Sequence, residues 1–350
     1  MTVFRLTMLP ASEGDCLILS YGNTDDRLSH VVVDGGRKAT WPSLKSTLTS
    51  INTRGEPITL MVMSHIDADH IDGAYEMAAA EDRPVPAPPI WFNGYDQLRR
   101  LDKPGTLRPA GLPVADAYSK LLARDGWSVN AAFDGGLVNV EARPDTFEFA
   151  GLKITLLSPT LPKLKRLWKE WNDWRDPSAK GSAVLAKRPM PAVLDVEALD
   201  TTSKPDGSVP NGSSIGFLAE FGGRRVLLAA DAHPDDLLAS LSRLAADEGP
   251  LAIDLIKLPH HGSRANVTKS WLERVACQRF AVSTNGAVFG HPDPEAISRI
   301  LKVDPESQKT LYFNYAGERT TPWNDPALRA RWRYDCVFPE RAGDPLVIDI

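Results

Sequence analysis

The chain has 350 residues, of which 43% are hydrophobic and 24% are charged, and its net charge is −5. These proportions are typical of a soluble globular protein, and the length is sufficient to bury a core without disulfides or a structural metal. The acidic balance argues against a protein that coats nucleic acid by charge alone, although an enzyme that binds a few phosphates remains compatible with it.

The cysteines and the apolar runs indicate the cellular compartment in which the protein is expected to function. Cys16, Cys277 and Cys336 are widely spaced and form no C-x-x-C pair, so neither a thiolate metal site nor a redox motif is expected. The opening MTVFRLTMLPASEGD lacks the pattern of a secretory signal, and no apolar run approaches the roughly 20 residues that span a bilayer. The sequence predicts a cytoplasmic protein with no membrane partner, and it gives no indication of protein partners.

Strands and helices alternate in the first third of the chain. Short apolar or β-branched runs predict strands, and apolar spacing near 3.6 predicts helices. In chain order the predicted elements are the strands FRLTML, CLILSY and HVVVDGG, the helix ATWPSLKSTLTSI, the strand ITLMVMSH and the helix IDGAYEMAAAE. Gly73 would let this second helix begin close against the sheet. The alternation favours a sheet covered by helices.

The middle of the chain is less regular. It contains the strand-like PIWFNGY, the helix ADAYSKLLARDGW and the hairpin FEFAGLKITLLSP. LPKLKRLWKEWNDWRD follows as a helix with its tryptophans near one face, and the next 34 or so residues show no period. We expect an insertion at about 161–210, a helix plus a flexible segment, over or beside the functional site.

Regular alternation returns at residue 213. The predicted elements are the hairpin SSIGFLAEFGGRRVLLAAD, the helix HPDDLLASLSRLAAD, the strand LAIDLIKLPHHGS, the helix TKSWLERVA, the strand RFAVSTNG, the helix PDPEAISRILK and the late strands TLYFNY and PLVIDI. No internal repeat of solenoid length is present. We expect one domain over 1–350 with a C-terminal extension at about 311–350.

Ionisable side chains concentrate where apolar strands end. The stretch 63–73, MSHIDADHIDG, offers two imidazoles and two carboxylates within six residues, and Asp231, His260, His261 and His291 follow later strand-like runs. Strand ends at one edge of a layered α/β protein converge on a site. Such ligands suit zinc, manganese or iron, and a tight turn would divide them between two neighbouring ions. The ordinary alternatives are solvated turn residues, a helix cap for Asp231 and histidines bonded to backbone carbonyls.

The same residues carry a family resemblance. SHIDADHIDG resembles the H-x-H-x-D-H motif of the metallo-β-lactamase fold, with Asp67 in place of the second histidine, and this variant is similar to the hydrolase domain of the bacterial DNA-uptake protein ComEC. Similar motifs are ASEGDCLILSYG, HVVVDGG, RRVLLAAD (with Ala230 for a glycine), LIKLPHHGS and FGHP. The resemblance covers about 3–35, 58–75 and 211–295. It implies an α/β fold, a four-layer αββα sandwich of the metallo-β-lactamase type.

The resemblance also implies a ligand set for two divalent metal ions, zinc or manganese. His65 and Asp67 would bind the first ion, and Asp69 and His70 the second. Asp231 would bridge, and His261 would complete the second ion, although His260 is an open alternative. Family members commonly have a further histidine for the first ion where this chain has Asn211. An amide oxygen suits manganese or magnesium better than zinc.

Two such ions favour hydrolysis through a metal-bound hydroxide. Asp69, His260 and His291 are the candidate catalytic residues, and Asn211 and Ser263 are weaker candidates beside the metals. The resemblance and the basic, aromatic KLKRLWKEWNDW favour a phosphodiesterase or nuclease acting on DNA or RNA, although those tryptophans could instead pack internally. The alternatives are a hydrolase of a small ester, lactone or phosphoester, and a non-catalytic metal-binding interaction protein.

Overall fold

The computed structural model describes residues 1–24, 27–102, 113–171, 188–245 and 249–350. Within these ranges the first of two large sheets has six strands in the order β16–β1–β2–β3–β4–β5. Its strands, numbered along the chain, are β1 (Thr2–Met8), β2 (Leu17–Asn23), β3 (Ser29–Val33), β4 (Ile58–Val62), β5 (Ile90–Trp91) and β16 (Leu346–Asp349). The pairs β3–β4 and β4–β5 are parallel and the others antiparallel, so the sheet is mixed.

The second sheet has eight strands in the described ranges, in the order β15–β14–β13–β11–β9–β8–β7–β6. They are β6 (Thr146–Phe149), β7 (Leu152–Ser158), β8 (Gly216–Phe221), β9 (Arg224–Leu228), β11 (Leu255–Lys257), β13 (Arg279–Val282), β14 (Lys309–Phe313) and β15 (Tyr334–Val337). Strands β6 to β9 are antiparallel neighbours, and the sheet continues in parallel from β9 to β15. A separate short pair joins β10 (Leu251–Ala252) and β12 (Val275–Ala276).

Helices flank both sheets. They are α1 (Trp41–Thr53), α2 (Ala68–Ala79), α3 (Tyr95–Leu98), α4 (Pro113–Arg124), α5 (Leu161–Glu170), α6 (Val196–Leu199), α7 (Pro234–Ala245), α8 (Lys269–Leu272), α9 (Pro294–Lys302) and α10 (Pro326–Trp332). No helix in the described part of the chain is both long enough and apolar enough to cross a bilayer.

Alternation along the strands sorts the apolar side chains into three layers of core. In β4, Leu60 and Val62 pack between the sheets with residues of β1, β7 and β8, whereas Met61 faces helices α1 and α2. In β9, Val226 points to the same inter-sheet core and Leu227 to the helices of the other side. The architecture is therefore the four-layer αββα sandwich that the resemblance to the metallo-β-lactamase fold implies.

The predicted elements near the site are confirmed, whereas several short elements elsewhere were not predicted, among them α3, α6 and β12, which occupies the end of the predicted helix TKSWLERVA. Strand β15 and helix α10, at 326–337, were not predicted. The C-terminal residues are part of both sheets, because β14 and β15 extend the second sheet and β16 lies beside β1 in the first. An edge strand that pairs on one side has a weaker alternating pattern than a central strand, which explains why β15 is hard to recognise.

Helix α5 corrects one expectation about nucleic-acid binding. Trp168 is 3% exposed and Trp171 is fully buried, and both lie beside Tyr95 in the core under the first sheet. Their rings are therefore unavailable to stack on bases, and the packing alternative holds for this face. The expected insertion at about 161–210 falls partly on 172–187, which lies outside the described residues, and its described part at 188–210 contains helix α6.

Candidate metal centre

Five strands end around one cluster of charged side chains. His65 follows β4, Asp231 follows β9, His260 and His261 follow β11, and Asp34 follows β3. The fifth, β13, is followed by Ser283, whose carbonyl oxygen accepts a hydrogen bond from His261. The structure thus brings the early His/Asp turn and the late double histidine together, as the grouping of strand ends predicted.

The turn after β4 divides its four ionisable residues between a loop and a helix. Asp67 occupies the extended position just before α2, and Asp69 and His70 lie in the first helical turn. Gly73 lets this helix approach the loop after β3, since a Cβ at Gly73 would lie 2.0 Å from the carbonyl oxygen of Gly35. Close packing of α2 against that loop places His70 beside Asp34.

The loops after β9 and β11 use strained backbone. Ala230, His260 and His261 have φ values of 47°, 47° and 53°, in the left-handed region that β-carbons disfavour. The His260 N–H donates to the Ala230 carbonyl over 2.8 Å, so the two loops support each other. Such conformations persist only where surrounding structure holds them, and they concentrate at functional sites.

Donor atoms of four residues surround one point beside Asp231. The Nε2 atoms of His70 and His261 lie 3.5 Å and 3.6 Å from Asp231 Oδ1. Asp69 Oδ2 lies 3.9 Å from His70 Nε2 and 3.5 Å from His261 Nε2. Ligand bonds of about 2.1 Å in a tetrahedral arrangement place donors ~3.4 Å apart. These residues fit the predicted ligand set of the second ion.

The other oxygen of Asp231 faces a second donor set. His65 Nε2 lies 3.8 Å from Asp231 Oδ2 and 3.5 Å from Asp67 Oδ2. His260 Nε2 lies 3.7 Å from the same Asp231 oxygen. One carboxylate therefore has donor atoms facing each of its oxygens. Two sets of three residues, Asp69–His70–His261 and His65–His70–Asp231, have ligand atoms that all lie within 4.8 Å of one another.

Several of these atoms have no hydrogen-bond partner despite being buried. They are His65 Nε2, His70 Nε2, His261 Nε2 and Asp231 Oδ1. Unsatisfied buried polar atoms are rare in native proteins, and several pointing at one place require an explanation. A metal ion accepts lone pairs from all of them, so the residues present fit a pair of bound cations.

The electrostatics of the cluster also call for positive charge. Burial alone would raise the pKa of Asp69 and Asp231, but the surrounding histidines outweigh it and hold both pKa values below the usual range. Burial alone would lower the pKa of His70 and His261, but the nearby Asp231 carboxylate outweighs it and raises both pKa values. Imidazolium protons thus balance the carboxylates here, and a metal ion would replace those protons, because a ligating imidazole is neutral.

Outer hydrogen bonds orient the ligand rings. His70 Nδ1–H donates to Asp34 Oδ2 over 2.7 Å, and Ser64 donates to the same carboxylate from its N–H and its hydroxyl. His261 Nδ1–H donates to the Ser283 carbonyl over 2.9 Å. Both bonds leave Nε2 with its lone pair towards Asp231, the arrangement that second-shell groups impose on metal-binding histidines.

A buried ion pair lies beneath the centre. The Lys257 ammonium bonds Asp15, and both side chains are buried. Asp15 Oδ1 lies 3.5 Å from His261 Nδ1, so this carboxylate supports the ring from behind. No individual role was predicted for Asp15 or Asp34, although they stand in the Gly-Asp and Asp-Gly patterns of the resemblance.

The other candidate site residues predicted from the sequence, His291, Ser263 and Asn211, have different local contacts. The His291 ring meets the His260 ring edge-on with centroids 5.1 Å apart, and burial lowers the pKa of His291. The Ser263 hydroxyl accepts a hydrogen bond from Ala265 N–H within its own turn. Asn211 directs Nδ2 to Asp206 Oδ2 at 2.8 Å. Asp206 is a further residue that sequence reasoning missed, because it lies in the aperiodic stretch interpreted as insertion.

Comparison with known proteins gives matches only among solved structures. No family model matches the sequence, and no curated protein matches it. CmlA, a diiron β-hydroxylase from Streptomyces venezuelae, is 10% identical with a TM-score of 0.40, covering 100% of this chain and 54% of that one. A mutant of the same hydroxylase is 11% identical, with a TM-score of 0.39 and the same coverage. A long form RNase Z from yeast is 10% identical with a TM-score of 0.40, covering 99% of this chain and 50% of that one. The chain spans about half the length of the structures it matches.

Proposed function

We propose that this protein is a metal-dependent hydrolase with a dinuclear centre. The observation that carries the proposal is the position of Asp231, whose Oδ1 faces His70 and His261 while its Oδ2 faces His65 and His260. A carboxylate with donors on both sides is suited to bridge two ions about 3.5–4 Å apart. Zinc and manganese are the ions that the His and Asp donors favour.

Two bound ions would activate water and stabilise charge on the attacking and leaving oxygens. The chain's own contribution is to hold the donors rigidly, with Asp34 and Ser283 fixing the histidine rings. His291 stands beside His260, and burial lowers its pKa, so its imidazole is neutral at pH 7 and can exchange a hydrogen bond with a substrate oxygen.

A phosphodiester is the substrate class that we propose first, with DNA or RNA as its natural form. The support is the resemblance of the motifs to the ComEC hydrolase domain together with the proposed two-ion arrangement, which would suit in-line displacement at phosphorus. Extended contacts with nucleic acid have less support, because Trp168 is buried and Arg264 pairs with Glu295 over 3.0 Å. We therefore expect a short single-stranded segment or a small diester rather than a long duplex.

The test is hydrolysis by protein loaded with Zn²⁺ or Mn²⁺. Bis-p-nitrophenyl phosphate and single-stranded DNA should be cleaved, and Asp69→Ala should reduce cleavage at least 10²-fold. His30→Gln is a matched control, because His30 is a buried histidine paired with a carboxylate far from the cluster. Metal-loaded protein that cleaves no phosphodiester, or Asp69→Ala protein that retains full activity, would refute the proposal.

A small ester or lactone is the second candidate substrate. The burial of Trp168 in α5 and of Trp171 directly after it favours this candidate, since neither of these two rings can stack on a base. The same metal-loaded protein would then hydrolyse p-nitrophenyl acetate or a lactone and leave both phosphodiesters intact. A protein that binds two ions and cleaves none of these substrates would instead favour a non-catalytic, metal-binding interaction protein.

A further inference from the structure

The first ion lacks a histidine in the expected place. Asn211 stands where the resemblance implies a third histidine, and its amide nitrogen donates to Asp206 Oδ2, so it could offer a metal only its amide oxygen, a poorer zinc ligand than an imidazole nitrogen. We infer that His260 fills this position, so that the two adjacent histidines divide between the ions. The inference rests on the dinuclear centre of the proposed function, and it assigns to His260 a role as ligand rather than as proton donor.

The orientation of the His260 ring supports the assignment. His260 Nδ1 lies 2.9 Å from Asn266 Oδ1 and 3.4 Å from Asp206 Oδ2, two acceptors that place the ring proton on Nδ1. The lone pair is then on Nε2, which lies 3.7 Å from Asp231 Oδ2. A ligating histidine that donates its other N–H to a carboxylate or amide oxygen is the usual metal-site arrangement.

The backbone explains how neighbouring residues reach different ions. In an extended strand, successive side chains point to opposite faces, so only one of the two would enter the site. Both histidines have a left-handed backbone conformation here. The planes of their rings are inclined at 73° to each other, with ring centroids 5.9 Å apart. His261 Nε2 thereby faces Asp231 Oδ1, while His260 Nε2 faces Asp231 Oδ2.

Asp206 and Asn266 are positioning residues for His260. Asn266 Nδ2 bonds Asp206 Oδ2 over 3.0 Å and also reaches the carbonyl oxygens of Asp231 and Ala232. Asn211 donates to the same Asp206 oxygen, so this network ties the His260 ring to the loop that carries Asp231. Asp206 lies in the stretch 161–210, and that stretch therefore contributes directly to the first ion's environment.

The experiment measures metal binding rather than turnover. Demetallated protein is titrated with Mn²⁺ and with Co²⁺ at fixed pH, using calorimetry for stoichiometry and the visible absorption of Co²⁺ for ligand geometry. Wild type should bind two ions. His260→Ala should keep one ion at the wild-type Kd and weaken the other at least 100-fold, and Asp206→Asn should weaken that same ion 10–100-fold.

Matched variants distinguish loss of a metal ligand from misfolding and from failure of the proposed function. His30→Gln changes a buried histidine outside the cluster, and it should keep both ions with unchanged affinity. Circular dichroism of each variant checks the fold. The inference would be overturned if His260→Ala bound two ions at wild-type affinity. It would also be overturned if Asn211→Ala lost an ion and His260→Ala did not. Wild type that binds two ions but hydrolyses nothing would refute the proposed function and leave His260 as a ligand.

Discussion

Asp34→Asn tests whether the outer hydrogen bonds set metal affinity. The Asp34 carboxylate is fully buried and accepts three hydrogen bonds of 2.7 Å, from Ser64 N–H, Ser64 hydroxyl and His70 Nδ1–H. Asparagine has the same shape and tolerates the residue's φ of 60°, so the backbone gains no strain. Its amide nitrogen, however, cannot accept from Ser64 or from His70.

The expected loss follows from that missing acceptor. If the NH₂ group faces His70, the ring must carry its proton on Nε2, the atom that faces Asp231, and the lone pair for the metal is lost. Removing such an orienting group costs about 10–100-fold in metal affinity, which is ~1.4–2.7 kcal/mol. The unpaired buried donor should also lower the free energy of unfolding by about 1–3 kcal/mol.

The assay compares two chemically matched substitutions. Glu56→Gln is the control, because Glu56, like Asp34, accepts a hydrogen bond from a buried histidine ring, that of His30, over 2.9 Å, and it is not part of the metal-ligand cluster. Competition with a coloured chelator at fixed pH should show weaker Zn²⁺ and Mn²⁺ binding in Asp34→Asn alone. Chemical denaturation of the metal-free proteins should show destabilisation in both. Unchanged metal affinity in Asp34→Asn, or an equal loss in Glu56→Gln, would refute the reasoning.

Three further predictions concern pH and packing. Metal affinity should rise between pH 6 and pH 8, since Asp231 raises the pKa of His70 and His261 and those protons must leave before an ion binds. Trp168→Ala should lower the free energy of unfolding by about 3–5 kcal/mol and leave single-stranded DNA affinity unchanged, because the ring is buried. Burial raises the pKa of Asp236 to about 6 despite Lys163, so the folded state prefers the protonated acid and loses that stabilisation as pH rises through 6. Asp236→Asn should therefore gain about 1–3 kcal/mol relative to wild type between pH 4 and pH 8.

Calorimetric titrations, DNA-binding isotherms and denaturation at several pH values check these three in turn. A metal affinity that is flat with pH would mean that the imidazoles are already neutral without an ion. Weaker DNA binding by a normally stable Trp168→Ala protein would show that the aromatic helix contributes to a DNA-binding surface. Parallel pH profiles for Asp236→Asn and wild type would show that this carboxyl has an ordinary pKa in the fold.

Many of the strands and helices around the site were predictable because the sequence patterns that specify them are local. The run ITLMV is apolar enough to predict the buried strand β4, and the residues after it could only form a turn and a helix start. Gly73 was expected to allow a close approach of α2, and a Cβ at this position would lie only 2.0 Å from the Gly35 carbonyl oxygen, which confirms that need. The hairpin around Gly222 and Gly223 was likewise readable from its turn residues.

Other features depended on partners far away in the chain. The spacing of tryptophans in α5 predicts one aromatic face, but only its contact with Tyr95 decides that the face is buried. Strand β16 has the pattern of any late strand, and its pairing with β1 joins residues more than 300 positions apart. Asp206 shows no periodic or motif signal, and its role follows only from its distance to His260.

The sequence by itself determined which residue types are available for a metal centre and which strands deliver them, because ligand chemistry and strand periodicity are properties of short segments. Only the tertiary structure decided how the donor side chains are arranged around Asp231, on which the proposed division between two ions depends. That arrangement depends on a left-handed turn at His260 and His261 and on Asp34, Asp206 and Asn266, whose hydrogen bonds fix ring orientations across sequence separations that no local pattern encodes.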